Sequence, residues 1–174
     1  ARERLEAATA LVAQDEVQAL LAELLLDLRD VAGAKRVIDG LSADGLPHAQ
    51  ALRLRARSQR ETGQAAATAT ASGAVEAARG THQVPVLQSA QLELARAEVA
   101  SGGTAAGAAL LAELHAQAQS HGAGRLLLEV KLAELQAVPR GSAERALRAQ
   151  ALAAEAKAAG FTRLARLAEV AASH

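Results

Sequence analysis

Four arginines crowd one short stretch of this chain: Arg53, Arg55, Arg57 and Arg60. Arg53, Arg57 and Arg60 follow i, i+4, i+7 spacing, so a helix carries them on one face. A guanidinium grips a carboxylate through two parallel N–H bonds, and several on one face would clamp an acidic loop or peptide. An acidic stripe upstream, Glu23, Asp27 and Asp30, has the same spacing. The two stripes can also satisfy each other as ion pairs between neighbouring helices, the commoner fate of such charges. Arg53, Arg57, Arg60, Glu23 and Asp27 are therefore the candidate partner-binding residues. Arg96 marks the surface to turn to if the first set is an internal staple.

Other reactive residue types are sparse or wrongly spaced. The chain has no Cys, which removes disulfides, zinc–thiolate sites and thiol nucleophiles. The histidines, His48, His82, His115, His121 and His174, contain no i, i+4 pair and no HExxH. No serine stands in a nucleophile-elbow context, and Gly102-Gly103 lacks the Gly-Lys-Ser/Thr of a phosphate loop. The expectation is a non-enzyme with no cofactor and no metal. Nucleic acid is not an expected partner, since there are three lysines and Phe161 is the only aromatic residue for stacking. Nor is a membrane: the Leu-rich run from Leu20 to Leu28 is interrupted by Glu23 and Asp27.

The elements that must position these residues are helices. Among 174 residues there are 48 Ala and 27 Leu, the strongest helix formers, and few β-branched or aromatic side chains. Apolar residues at helical spacing, punctuated by Gly and Pro, predict helices over about 2–13, 16–30, 32–41, 46–62, 65–79, 84–100, 104–121, 123–137, 143–159 and 161–172. Asp15 offers an N-cap with Gln18 in capping-box position, Gly33 is read as part of a turn, and Thr104 and Ser142 are read as caps. Gly63, Gly102, Gly122, Gly141 and Gly160 are read as breaks. Gly73 weakens the helix around it. Connections this short force consecutive helices to run antiparallel.

Residues 111–128 and 149–166 echo each other. Leu114 aligns with Leu152, Ala118 with Ala156, Gly122 with Gly160, Arg125 with Arg163 and Leu126 with Leu164, always 38 residues apart. Each copy is a helix end, a glycine stop and a new helix, the signature of a stacked hairpin array. Phe161 stands where the earlier copy has Ala123 and is expected to be buried near Leu152, Ala156 and Leu164. Formal charge sums to zero but alternates along the chain, acidic in 1–45 and 81–138, basic in 46–80 and 139–174. Stacked units of opposite sign attract.

The stretch 15–47 resembles a tetratricopeptide repeat. Leu21, Ala22 and Leu25 sit where that family's first helix has its large, small and core residues, and Asp30 lies at the turn. Ala34, Ile38 and Pro47 occupy the second-helix and terminal positions. Leu94, Ala95, Gly102, Gly107, Leu111 and Leu114 give a second match. The ending from Gly160 to Ala168 is similar to the tetratricopeptide-like regions of large bacterial regulators that carry a winged-helix or serine/threonine kinase domain. The resemblance implies a right-handed solenoid of antiparallel hairpins, and places Arg53, Arg57 and Arg60 on its concave surface.

The reading is an all-α chain of about ten helices, one helical-repeat domain over 1–174. Hairpins are expected at about 15–45, 46–80, 83–121 and 123–159, with flanking helices 2–13 and 161–172. Ala1 already falls inside a helical pattern, so a piece of a longer, cytoplasmic protein is expected. Its expected role is a protein–protein interaction scaffold or sensor region that binds a protein or peptide segment, an acidic one by the arginine face. Two alternatives are a self-association module forming homodimers and a small-molecule-sensing regulatory domain.

Overall fold

The computed structural model describes residues 15–41 and 43–172, and the helix expected over 2–13 lies outside them. Among the described residues all regular structure is helical. The described residues form nine helices: α1 Asp15–Asp27, α2 Val31–Asp39, α3 Gly45–Glu61, α4 Ala67–Gly80, α5 Val84–Ala100, α6 Thr104–Ser120, α7 Gly124–Ala137, α8 Ala143–Ala158 and α9 Thr162–Ala172. No helix among them is long and apolar enough to cross a membrane.

The chain divides into two compact units, with the division falling between Ser101 and Gly102. In the first, α1 packs on α2, α3 on α4, and α5 on α4. The alternate helices α1, α3 and α5 also pack side by side, α1 on α3 and α3 on α5. In the second unit α6 packs on α7, α7 on α8, and α9 on both α7 and α8, most extensively on α8. The hairpin expected over 83–121 spans the boundary between the units.

Leucine and alanine share the core. Leu21, Ala22, Leu25, Leu26, Ala34, Ile38 and Leu54 form one buried cluster of the first unit. Leu128, Leu132, Leu152, Ala156 and Leu164 anchor the cluster of the second. Alanines 22, 34, 56, 71, 74, 78, 95, 149, 156 and 168 are almost wholly buried, where a larger side chain would hold the helix axes apart. Phe161 is only partly buried, packed on the edge of the second unit's cluster. That corrects the expectation of a fully buried ring. It directly follows the cap of α8, at a helix end where neighbouring side chains cover it only in part.

The breaks are physical caps. Gly63, Gly102, Gly122, Gly141 and Gly160 all have positive φ. At Gly122 and Gly160 the same bonds recur: Gly122 N–H donates to Gln119 C=O at 3.3 Å and Ala123 N–H to Ala118 C=O at 2.9 Å; Gly160 N–H donates to Lys157 C=O at 3.1 Å and Phe161 N–H to Ala156 C=O at 2.8 Å. These are Schellman caps, in which a left-handed residue lets two N–H groups turn back onto the last helical carbonyls. The 38-residue echo is thus an echo of one cap with its flanking helices.

The first break differs from the sequence reading. The helix ends at Asp27, Arg29 takes the left-handed conformation at φ 64°, and Gly33 lies inside α2 rather than in a turn. Asp30 is the N-cap of α2, its carboxylate accepting the Gly33 N–H at 2.8 Å. A Cβ on residue 33 would sit 2.5 Å from Asp30 Oδ2, so glycine there makes room for the cap. Thr104 is the first residue of α6 rather than its cap, which is Gly103. Ser142 does cap α8, accepting the Arg145 N–H at 3.2 Å.

Candidate functional site

Helix α3 carries Arg53, Arg57 and Arg60 on one face, and that face lies between α1 and α5. Arg53 Nη1 donates to Glu23 Oε1 at 3.1 Å, and Arg57 Nη2 donates to Asp27 Oδ1 at 2.7 Å. Both pairs are 30 residues apart in sequence, so α1 and α3 run in the same direction and in register. On the other side Arg60 Nε donates to Glu93 Oε1 at 2.7 Å, across 33 residues. Arg96, one turn further along α5, lies 3.9 Å from Glu93 Oε2. Arg53, Arg57, Arg60, Glu23 and Asp27 therefore lie together in a charge ladder across three alternate helices of the first unit, and Arg96, expected to mark a separate surface, stands at the ladder's α5 end.

Two residues complete the ladder that the sequence reading did not single out. Glu61 Oε1 accepts from Arg57 Nε at 2.8 Å and lies 4.0 Å from Arg60; its Oε2 lies 3.8 Å from Arg29. Glu93 is only 2% exposed, the most deeply buried acid of the ladder. The signal for Glu61 was its i+4 spacing from Arg57. Glu93 had none, since it reads as one more acid in the pattern of α5. The fourth arginine of the cluster, Arg55, faces another way and pairs with Asp39 of α2 at 2.9 Å, half exposed.

Burial sets what these arginines can do. Arg57 sits among Asp27 and Glu61 with little solvent contact. Burial lowers its pKa, but the two carboxylates and their hydrogen bonds outweigh this and hold it above the ordinary arginine value. The stabilisation linked to that raised pKa is fully present below the unfolded value and is lost only above the folded one. Arg57 is thus a permanent cation at any pH a protein meets. Its Nε and Nη2, and both acceptors, are engaged internally. Arg53 is different: Nη1 is taken by Glu23, while Nε and Nη2 have no hydrogen bond to the described residues.

Arg53 opens onto a cleft of about 210 Å³ between α3 and α5. Ala49, Gln50 and Arg53 form one wall, and Pro85, Val86 and Ser89 the other. Gln50 Oε1 is buried and accepts no hydrogen bond from the described residues. The first turn of α5 has no acidic residue, and its N-cap Gln83 makes no side-chain capping bond. A second open cleft, about 350 Å³, lies in the other unit between α8 and α9, lined by Gln150, Ala153, Ala154, Lys157, Glu169 and Ala172.

In the second unit a buried arginine has an internal task. Arg145, in the first turn of α8, donates from Nη1 to Val138 C=O at 2.9 Å and from Nε to Ala171 C=O at 3.1 Å. Those carbonyls end α7 and α9, the negative poles of two helices. His115 Nδ1 lies 3.0 Å from Glu134 Oε1, linking α6 to α7, and Lys131 donates to Glu155 at 2.7 Å, linking α7 to α8. Among the described residues no three His, Asp or Glu side chains converge as a metal ion would require.

Compared with known proteins, the chain matches no family model, no curated protein and no solved structure.

Proposed function

We propose that this chain is a non-catalytic interaction scaffold or sensor region of a larger cytoplasmic bacterial protein, built as a right-handed array of tetratricopeptide-like hairpins. It captures a segment of a protein partner on the layer formed by α1, α3 and α5. The observation that carries this reading is the side-by-side packing of those three helices, with α1 and α3 held in register by two ion pairs. Their shared face is polar, crossed by ion pairs rather than filled by a core, and holds an open cleft with a cation beside it. Leu21, Ala22, Leu25, Ala34 and Ile38, which carry the tetratricopeptide resemblance, are all buried, as helix-nesting residues need to be. A small-molecule sensor calls for an enclosed apolar pocket, and the two clefts described above are both open.

One observation favours a second reading, self-association. Leu20 and Leu28 on α1 are 56% and 55% exposed, with Leu24 half-buried between them at i+4 spacing. Such a stripe fits a helix of another copy. Selection of a random-peptide library on the immobilised chain, with sedimentation velocity across concentration, separates the two. Enriched peptides that bind a monomer in fluorescence anisotropy bear out the first reading. A reversible dimer that enriches no peptide contradicts it and favours the second.

A further inference from the structure

Among the ladder's cations, Arg53 is the one that lines the cleft between α3 and α5, and it has donors to spare. Four features converge there. Arg53 keeps Nε and Nη2 for a ligand. Gln50 Oε1 is buried without a donor, a state that costs free energy until something donates to it. The N-terminal end of α5 lacks both an acidic first turn and a side-chain cap, so its positive pole is uncompensated. Ser89 Oγ already donates to Pro85 C=O at 2.8 Å, which leaves its lone pairs free to accept. The cleft therefore offers positive charge for an anion, one buried acceptor for an N–H in Gln50 Oε1, and a more exposed one in Ser89 Oγ.

We propose that this cleft is the specificity subsite of the interaction face and takes an Asp or Glu side chain of an extended partner peptide. The carboxylate docks on Arg53 at the end of α5, and a backbone N–H of the same segment donates to Gln50 Oε1. A carboxylate flanked by peptide N–H groups is the one common protein chemistry that satisfies both walls at once. A free inorganic anion would satisfy Arg53 and leave Gln50 Oε1 unpaired. The pairing of Arg53 with Glu23 tunes the subsite: Glu23 competes with the incoming carboxylate for the same guanidinium and holds it in place when the cleft is empty.

The proposal rests on the peptide-capture reading, and its test keeps the two apart. The probes are fluorescein-labelled peptides from the library selection, each made also with Asp or Glu replaced by Asn or Gln. The expected result is that the amide peptides lose about tenfold or more in affinity for the chain, as does the Arg53→Gln variant for the acidic peptides. Gln50→Leu also weakens binding. Glu23→Gln, which releases Arg53 from its internal partner, tightens it. Peptides that bind equally well with amides in place of acids, or that ignore Arg53→Gln, overturn the subsite while leaving peptide capture intact. Equal weakening by Glu23→Gln and Arg53→Gln overturns it too, since Arg53 would then act only as a staple. If no peptide binds at all, the capture reading falls, and the subsite with it. Melting curves of each variant exclude unfolding as the cause of a loss.

Discussion

Arg57 and Arg145 are cations whose partners lie within their own unit, and each makes a sharp prediction. Arg57→Glu would place a third carboxylate beside Asp27 and Glu61 in a site nearly closed to water. Breaking a buried pair in this way costs about 3–5 kcal/mol, far beyond the loss from an exposed bridge. Asp27→Arg in the same chain restores an opposite-charge pair across α1 and α3, so the double variant should regain a measurable part of that loss in urea unfolding. Arg145→Met leaves the Val138 and Ala171 carbonyls without their donor, and the loss of hydrogen bonds to a charged group is worth about 1.5–3 kcal/mol. Calorimetry should show a lower transition temperature with unchanged helix content. Phe161→Ala should cost about half of the 3–5 kcal/mol typical of a buried ring, since the ring is only partly buried against the second unit's cluster.

At the level of elements, most helix limits could be read from the sequence because the chain marks them with glycine. A left-handed residue is needed where a Schellman cap closes, and glycine adopts that conformation without a Cβ clash. Gly63, Gly122 and Gly160 were found for that reason. Arg29 and His82 take the same conformation at φ 64° and 56° with no such mark, and the first turn was misplaced onto Gly33 as a result. The partners of the arginine face were partly readable too, because matching i, i+4 spacing on two helices implies two edges that can meet in register. Glu93 and the Gln50 cleft were not, since they depend on how far α5 slides along α3. Gly73 gives a test at this scale. It lies mid-helix in α4, and a Cβ there would meet only Leu52 Cδ1, at 3.9 Å. Gly73→Ala should therefore stabilise the chain by about 0.5–1 kcal/mol in thermal or urea unfolding.

At the scale of the molecule, composition explains how each unit holds together internally. An alanine-rich core brings helices close but buries little area per residue, so each interface is worth less than a leucine-packed one. Ion pairs between neighbouring helices then fix register more than they add stability: Glu23 to Arg53 and Asp27 to Arg57 in the first unit, Lys131 to Glu155 in the second. The same charges, once aligned, make the α1, α3 and α5 layer a polar surface on which Arg53 keeps donors toward a cleft. That surface is the centre of the functional account. Its most direct test is a two-dimensional amide NMR titration of the labelled chain with a peptide from the library selection. The account predicts that the strongest shifts fall on residues 49–53 and 84–89, and that they fade in Arg53→Gln. Strongest shifts on the Leu20, Leu24 and Leu28 stripe, or anywhere in α6 to α9, would contradict it.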